Sequence, residues 1–310
     1  MASAAKPRVG AQLLPIDWGA ISPLRMTAKT VAEGAYAGAH RSRRRGPGVE
    51  FGGQRPYVPG DDLRFLDRRA LLRHDRLMVR EFETDTDRAL WLCLDASASM
   101  AFRGPAAPGA KLAYAALIAA ALARIAVSSG DPIGLSWLGG VELASVPASF
   151  GMGAFERIVG RLELAPASGD LSSDGGAVDR AVGILARRAR RGSVVVVLSD
   201  LLDLPDLAIH PLASLGAGRR SVVVVQVLDP QERDLAFAGK VRLRAIEGDE
   251  RVVTDADAVR QDYRRRLEEH VDRWRQAVEG QGGRLVRACS DDDPVRVVRE
   301  VLQAVAEARR

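Results

Sequence analysis

Three short segments of the chain are almost continuously apolar. They are Ala89 to Leu94 (ALWLCL), Ser193 to Leu198 (SVVVVL) and Ser221 to Leu228 (SVVVVQVL). A strand exposed on one face alternates apolar and polar residues, so continuous β-branched runs of this length predict strands buried on both faces. Between them the period changes. Lys111 to Val127 is a long Ala/Leu-rich helix, and Phe155 to Leu164 and Ala177 to Arg190 also have helical spacing. Pro132 to Leu138 and Val141 to Val146 predict two strands, with Gly139–Gly140 as the turn of a hairpin. After the third run come a hairpin (Val241 to Ile246 and Arg251 to Thr254, turning about Gly248), a charged helix from Asp257 to Glu279, a last strand from Arg284 to Cys289 and a last helix from Val295 to Ala308. Strands alternating with helices predict an α/β protein, with a mainly parallel central sheet flanked by helices on both faces.

The first part of the chain is less regular. Residues 1–45 form an N-terminal arm with one short helix within Ile21 to Ala37, ending in the basic run Arg41 to Arg45. Residues 46–86 form a Gly/Pro-rich and charged segment, with loop chemistry over 46–60, a turn or short helix over Asp61 to Arg73 and a strand over Leu77 to Phe82. Residues 87–310 are the α/β domain.

Charge changes this picture little. The net charge is +5, and apart from Lys6, Lys29, Lys111 and Lys240 every basic residue is arginine. The arginines are interleaved with acids and aromatics are only 5%, so no stacking platform for nucleic acid is expected. The two cysteines, Cys93 and Cys289, make neither a zinc pair nor a disulfide framework, and Cys93 reads as a small core residue. The most apolar stretch, Leu112 to Ala123, is interrupted by Arg124 and is shorter than the ~18 residues of a membrane span. A cytoplasmic protein without a membrane span is expected.

Open α/β sheets bind ligands where their strands end. The first apolar run is followed by Asp95-Ala-Ser97-Ala-Ser99, the second by Ser199-Asp200 and the third by Asp229. A hard divalent cation takes about six oxygens at ~2.1 Å. The hydroxyls of Ser97 and Ser99 on one tight loop supply two neutral ligands, with Asp95 and Asp200 acting directly or through water. Neutral ligands leave the ion electrophilic and ready for an acidic group from outside, which suits partner binding. A structural alternative has Asp95 capping the strand-to-helix turn and the serines satisfying backbone groups. A hydrolase, a nuclease or phosphatase gathering Asp95, Asp200 and Asp229, is a further alternative. No nucleophile elbow and no phosphate-binding Gly-x-x-x-x-Gly-Lys loop is present in the sequence.

The stretch Leu90 to Met100, with Ser199-Asp200 on a later strand, resembles the metal ion-dependent adhesion site of von Willebrand factor A-type domains. The resemblance implies a doubly wound sheet holding Mg²⁺ or Mn²⁺ on Asp95, Ser97, Ser99 and Asp200. That family's middle motif carries a threonine. The corresponding stretch here, Gly169 to Asp179, has none, and Ser172, Ser173 or Asp174 would substitute, with Ser173 taken as the candidate.

A second resemblance spans about residues 40 to 300. The block Glu50-Phe-Gly-Gly-Gln-Arg55-Pro-Tyr57-Val-Pro-Gly60-Asp61-Asp62-Leu-Arg64-Phe-Leu-Asp67, then Leu77-Met-Val-Arg-Glu81-Phe-Glu, resembles the bacterial domain-of-unknown-function fifty-eight family. The tail from Leu228-Asp-Pro-Gln-Glu232 through Tyr263 and Trp274 fits it too. Where that family usually has Trp after the position of Asp67, Arg68 stands here. The resemblance implies an accessory protein working with a MoxR-type AAA+ ATPase in complex assembly or maturation; the chemistry of the Asp95–Ser99 loop adds the expectation of a non-enzymatic module with an acidic protein client. Arg55, Tyr57, Asp61, Asp62 and Arg64 are either a structural ion-pair network or a docking surface for that partner. The remaining alternative is a metal-free structural scaffold.

Overall fold

The computed structural model describes residues 13–39, 50–56, 78–83, 88–140, 143–171, 176–204, 206–247 and 250–308. Two compact units divide the chain, one comprising residues 40–87 and the other residues 1–39 with 88–310. In the first, β1 (Glu50–Pro56) and β2 (Met78–Glu83) form an antiparallel pair with an irregular register between Phe51 and Gly53.

The second unit is built on a six-stranded sheet. In chain order its strands are β3 (Leu90–Asp95), β4 (Ile133–Leu138), β5 (Val146–Ser149), β6 (Val194–Ser199), β7 (Ser221–Leu228) and, after the β8–β9 ribbon (Lys240–Arg244 with Arg251–Asp255), β10 (Arg284–Cys289). Their spatial order is β10-β7-β6-β3-β4-β5, all neighbours parallel except β4 with β5. Renumbered within the sheet this is the 3-2-1-4-5-6 order of a doubly wound fold. The expected mainly parallel sheet is therefore present, with one antiparallel edge strand.

Alternate residues of the buried strands feed two cores, as the two-residue period of a strand requires. Leu90, Leu92 and Leu94 face one side, with Val196 and Val225. There they pack on α1 (Leu24–Ala39), α2 (Lys111–Ser128), α3 (Gly151–Leu164) and the terminal helix Pro294–Ala308. Trp91, Cys93, Val195 and Val224 face the other side, against α4 (Ala177–Arg188), Ile209–Ser214 and the long helix Ala256–Gly280. Helix α2 is long and apolar enough to cross a membrane, but it is buried in the core. Its apolar composition answers to helices on several sides as well as to the sheet.

Two sequence expectations need correction. The N-terminal helix does not stand apart in an arm: Leu24, Ala28, Val31 and Ala35 are buried in the main core, and Leu14 pairs with Ala167. The edge strand is not Val141 to Val146. Gly139 and Gly140 both have positive φ, residues 143–145 are not in a strand, and pairing to β4 begins at Val146, while Val141 and Glu142 lie outside the described residues. The turn or helix expected over Asp61 to Arg73 lies outside the described residues.

Candidate metal centre

In a doubly wound sheet the switch point is where successive connections leave in opposite directions, and the loops there diverge to leave a crevice. Here that point lies between β3 and β6. Asp95 ends β3 and Ser199-Asp200 ends β6 and follows it, so the topology itself brings these polar groups together.

The loop after β3 is tightly pinned. Ala96 N–H donates to Leu138 O at 2.9 Å, Ser97 N–H to Asp95 Oδ1 at 2.9 Å, and Ala98 N–H to Gly169 O at 3.1 Å. A short 3₁₀ turn, Ala98–Ala101, follows. Asp95 Oδ2 accepts from the Ser199 hydroxyl at 2.6 Å. The Ser97 and Ser99 Oγ atoms lie 3.1 Å apart, and Ser99 Oγ donates to Asp200 Oδ2 at 3.0 Å. Asp95, Ser97, Ser99 and Asp200 are all buried. Just after Asp200, Leu201 is buried with φ of 64°, a left-handed conformation that a Leu side chain adopts only where its surroundings enforce it.

Four further charged groups, Lys111, Glu232, Glu247 and Asp203, complete the cluster. Lys111, the first residue of α2, is fully buried, and its Nζ donates to Asp200 Oδ2 at 2.7 Å and Glu232 Oε1 at 2.6 Å. Glu247, between β8 and β9, accepts from Ser99 N–H and Leu171 N–H, each at 3.0 Å. Asp203 lies within electrostatic reach of Asp200 and Glu247.

Charge at this place is unbalanced: Asp95, Asp200, Asp203, Glu232 and Glu247 surround the single ammonium of Lys111. Burial, then the Asp200 charge, pushes the Asp95 carboxyl up to about 7. Burial, then Asp200 and Glu247, does the same for Asp203. Burial raises Glu232 against the pull of Lys111. It also raises Glu247, against the Ser99 and Leu171 N–H groups and the hydroxyls of both serines. Burial alone would lower the Lys111 ammonium, but Asp200 and Glu232 outweigh it and hold it above the ordinary lysine value.

The oxygens fit a small cation. In an octahedron with ligands at ~2.1 Å, adjacent oxygens are separated by about 3.0 Å. The spacings from Ser97 Oγ to Ser99 Oγ and from Ser99 Oγ to Asp200 Oδ2, 3.1 and 3.0 Å, match such edges. The set is not a carboxylate cage: among the described residues no group of three or more His, Cys, Asp or Glu is spaced to hold an ion.

Asp229 does not join them. Its Oδ1 accepts from Gln231 N–H at 2.9 Å and its Oδ2 from Gly104 N–H at 2.7 Å, capping the short helix Pro230–Asp234. Among the described residues no hydrogen bond links the Asp229 carboxylate to Asp95, Asp200 or either serine, and both its oxygens accept backbone N–H groups. Ser172, Ser173 and Asp174 lie outside the described residues, as do Tyr57, Asp61, Asp62 and Arg64. Arg55 lies on β1, in the other unit. Cys93 is buried, and burial pushes its thiol up to about 12, as expected of a core residue.

Lys111, Glu232 and Glu247 were not singled out from the sequence. A signal existed for one of them: Lys111 is one of only four lysines in an arginine-using chain, and it heads an otherwise apolar helix.

A doubly wound sheet with an antiparallel edge strand and an Asp-x-Ser-x-Ser loop at its switch point defines a von Willebrand A-like domain. Residues 53–273 match the family described as "Protein of unknown function DUF58", and the chain belongs to that family. Uncharacterized proteins of Mycobacterium tuberculosis and Mycobacterium bovis are each 31% identical over 297 residues, covering 94% of this chain and 89% of theirs. Among solved structures, BatB from Bacteroides thetaiotaomicron aligns with 71% of this chain and 99% of its own, at 14% identity and a TM-score of 0.46. A von Willebrand factor type A protein from Catenulispora acidiphila aligns with 75% of this chain and 44% of its own, at 10% identity and a TM-score of 0.39.

Proposed function

We propose that this chain is a non-enzymatic, metal-dependent protein-interaction module of the cytoplasm. Ser97, Ser99 and Asp200 would hold Mg²⁺ or Mn²⁺, with Asp95 orienting the loop and holding negative charge behind it. Ser173 is the candidate for a further ligand. When bound, the ion would supply a Lewis-acidic point for an acidic side chain of a client, and the partner machine is a MoxR-type AAA+ ATPase. One observation carries this reading: two buried hydroxyls and a carboxylate stand at octahedral-edge spacing in a cluster with an excess of buried negative charge.

The test is isothermal titration of Mg²⁺ and Mn²⁺ into the full chain, wild type against Ser97→Ala/Ser99→Ala. Saturable binding that the double variant loses is the expected result. If the wild type binds neither ion, the reading fails. The metal-free scaffold then takes its place, a reading favoured by one feature: Lys111 already gives Asp200 a resident cation.

A further inference from the structure

The β8–β9 ribbon pairs only with itself. A two-stranded hairpin is marginal in water without an apolar face to bury. This one has only a thin one: Val241 and Leu243 are half-buried, Val252 and Val253 are 55% and 71% exposed, and no described residue of either strand is buried. The buried residue of the ribbon is Glu247, 9% exposed. The one buried group of the ribbon is thus a carboxylate, which loses its hydration on docking and is repaid by the N–H groups of Ser99 and Leu171. Those N–H groups belong to the loops that carry the candidate metal ligands, and the Ser97 and Ser99 hydroxyls also face Glu247. A cleft of about 260 Å³ opens beside it, lined among others by Asp203, Phe237, Ile246 and Tyr263.

We infer that Glu247 occupies the seat of the partner's acidic side chain, so that the module carries its own competitor and an acidic protein partner binds by displacing the β8–β9 ribbon. This rests on the reading of the site as one that captures an acidic group. A carboxylate accepting two backbone N–H bonds beside two serine hydroxyls is the chemistry an incoming Asp or Glu would reproduce. The exposed Val252–Val253 edge gives a displaced ribbon, or the partner, apolar surface to use.

The experiment uses the full chain and acetate as the carboxylate probe, with chloride as the ionic-strength control. Amide ¹H–¹⁵N shifts of Ser99 and Leu171 are followed in wild type, Glu247→Ala and Glu247→Gln, in Mg²⁺ and again in chelator. Hydrogen exchange of the ribbon amides is measured alongside. Glu247→Ala should show saturable shifts at both amides with a midpoint about tenfold below that of wild type, the factor expected if the closed ribbon holds about nine-tenths of the population. Its ribbon amides should exchange faster. Glu247→Gln keeps the side-chain shape and should fall between the two. Equal response of wild type and both variants overturns the inference, as does no response from any of them. Absence of Mg²⁺ binding by every protein is instead the failure of the metal reading. In that case the chelator arm still decides the role of Glu247, by whether the alanine variant alone responds to acetate.

Discussion

Three buried strands of one sheet end in a carboxylate, and the three carboxylates meet two different fates. Asp95 and Asp200, after β3 and β6, stand with Ser97 and Ser99 in a charged cluster. Asp229, after β7, caps a helix and fixes Gly104. The local patterns are alike: an apolar run, then an acid. What separates them is position in the sheet. Strands β3 and β6 flank the switch point, where diverging connections leave backbone and side chains facing a shared crevice. Strand β7 lies one place further out, and its chain turns straight into a helix whose unpaired N–H groups take the carboxylate. An acid at a strand end is thus a ligand candidate only where the topology leaves something other than a helix terminus to satisfy.

The largest test of this contrast is Lys111→Met. Removing one partner of a buried charge pair leaves uncompensated charge and costs about 3–5 kcal/mol. Here both Asp200 and Glu232 would be left without their ammonium. Urea unfolding in chelator should show a loss of that size, and saturating Mg²⁺ should recover more stability in the variant than it adds to wild type. A loss under about 1 kcal/mol, the level of an exposed ion pair, would mean that Lys111 is not the cluster's resident cation.

How much of this was legible beforehand follows from the same physics. The runs forming β3, β6 and β7 declared themselves because strands buried on both faces are apolar at nearly every position, Gln226 in β7 being the interior exception. The edge strand β5 was misplaced because Val146–Ser149 is only partly buried and carries little pattern. Asp95, Ser97, Ser99 and Asp200 stood out because they follow apolar runs. Glu247 did not, because one charge among many on a ribbon has no local signature, and only the tertiary fold turns it inward; the local signature of Glu232 marks a helix cap and not a member of the cluster. Asp229, a candidate only in the hydrolase alternative, carries a local signature of its own. Asp229-Pro230-Gln231-Glu232 is an N-cap, a proline at the first helical position and a glutamate at the third, and the structure forms the complete capping box.

The middle-sized test uses pH. The Asp95 carboxyl, pushed up to about 7, lies above its unfolded value of ~3.9, so between these limits the folded chain holds the proton more firmly than the unfolded one. Its contribution therefore favours the folded state at low pH and is lost as pH rises through about 7, with Asp203 acting in the same direction. Metal-free protein should lose stability between pH 5 and pH 7.5, as read from urea midpoints in chelator. Asp95→Asn should flatten much of that slope. Mg²⁺ should flatten it too, by holding the carboxylates ionised without penalty. A slope that is unchanged in Asp95→Asn would show that the buried negative charge at the switch point is not what the pH change titrates.

The smallest effect is also the most discriminating. Asp229→Ala removes a helix cap worth about 1 kcal/mol and leaves the Gly104 N–H without its acceptor, for a total loss of about 2 kcal/mol. Gly104 is closely fitted to that carboxylate: a Cβ there would come within 2.3 Å of Asp229 Oδ1, so Gly104→Ala should be destabilising in wild type and less so when Asp229→Ala is already present. Neither change should alter Mg²⁺ affinity, whereas Asp200→Ala should abolish it. If Asp229→Ala weakened metal binding as Asp200→Ala does, the two strand ends would form one site and the division drawn from the topology would be wrong. If Mg²⁺ affinity survives Asp229→Ala while the helix cap is lost, the carboxylates separate by function as they do by position in the sheet.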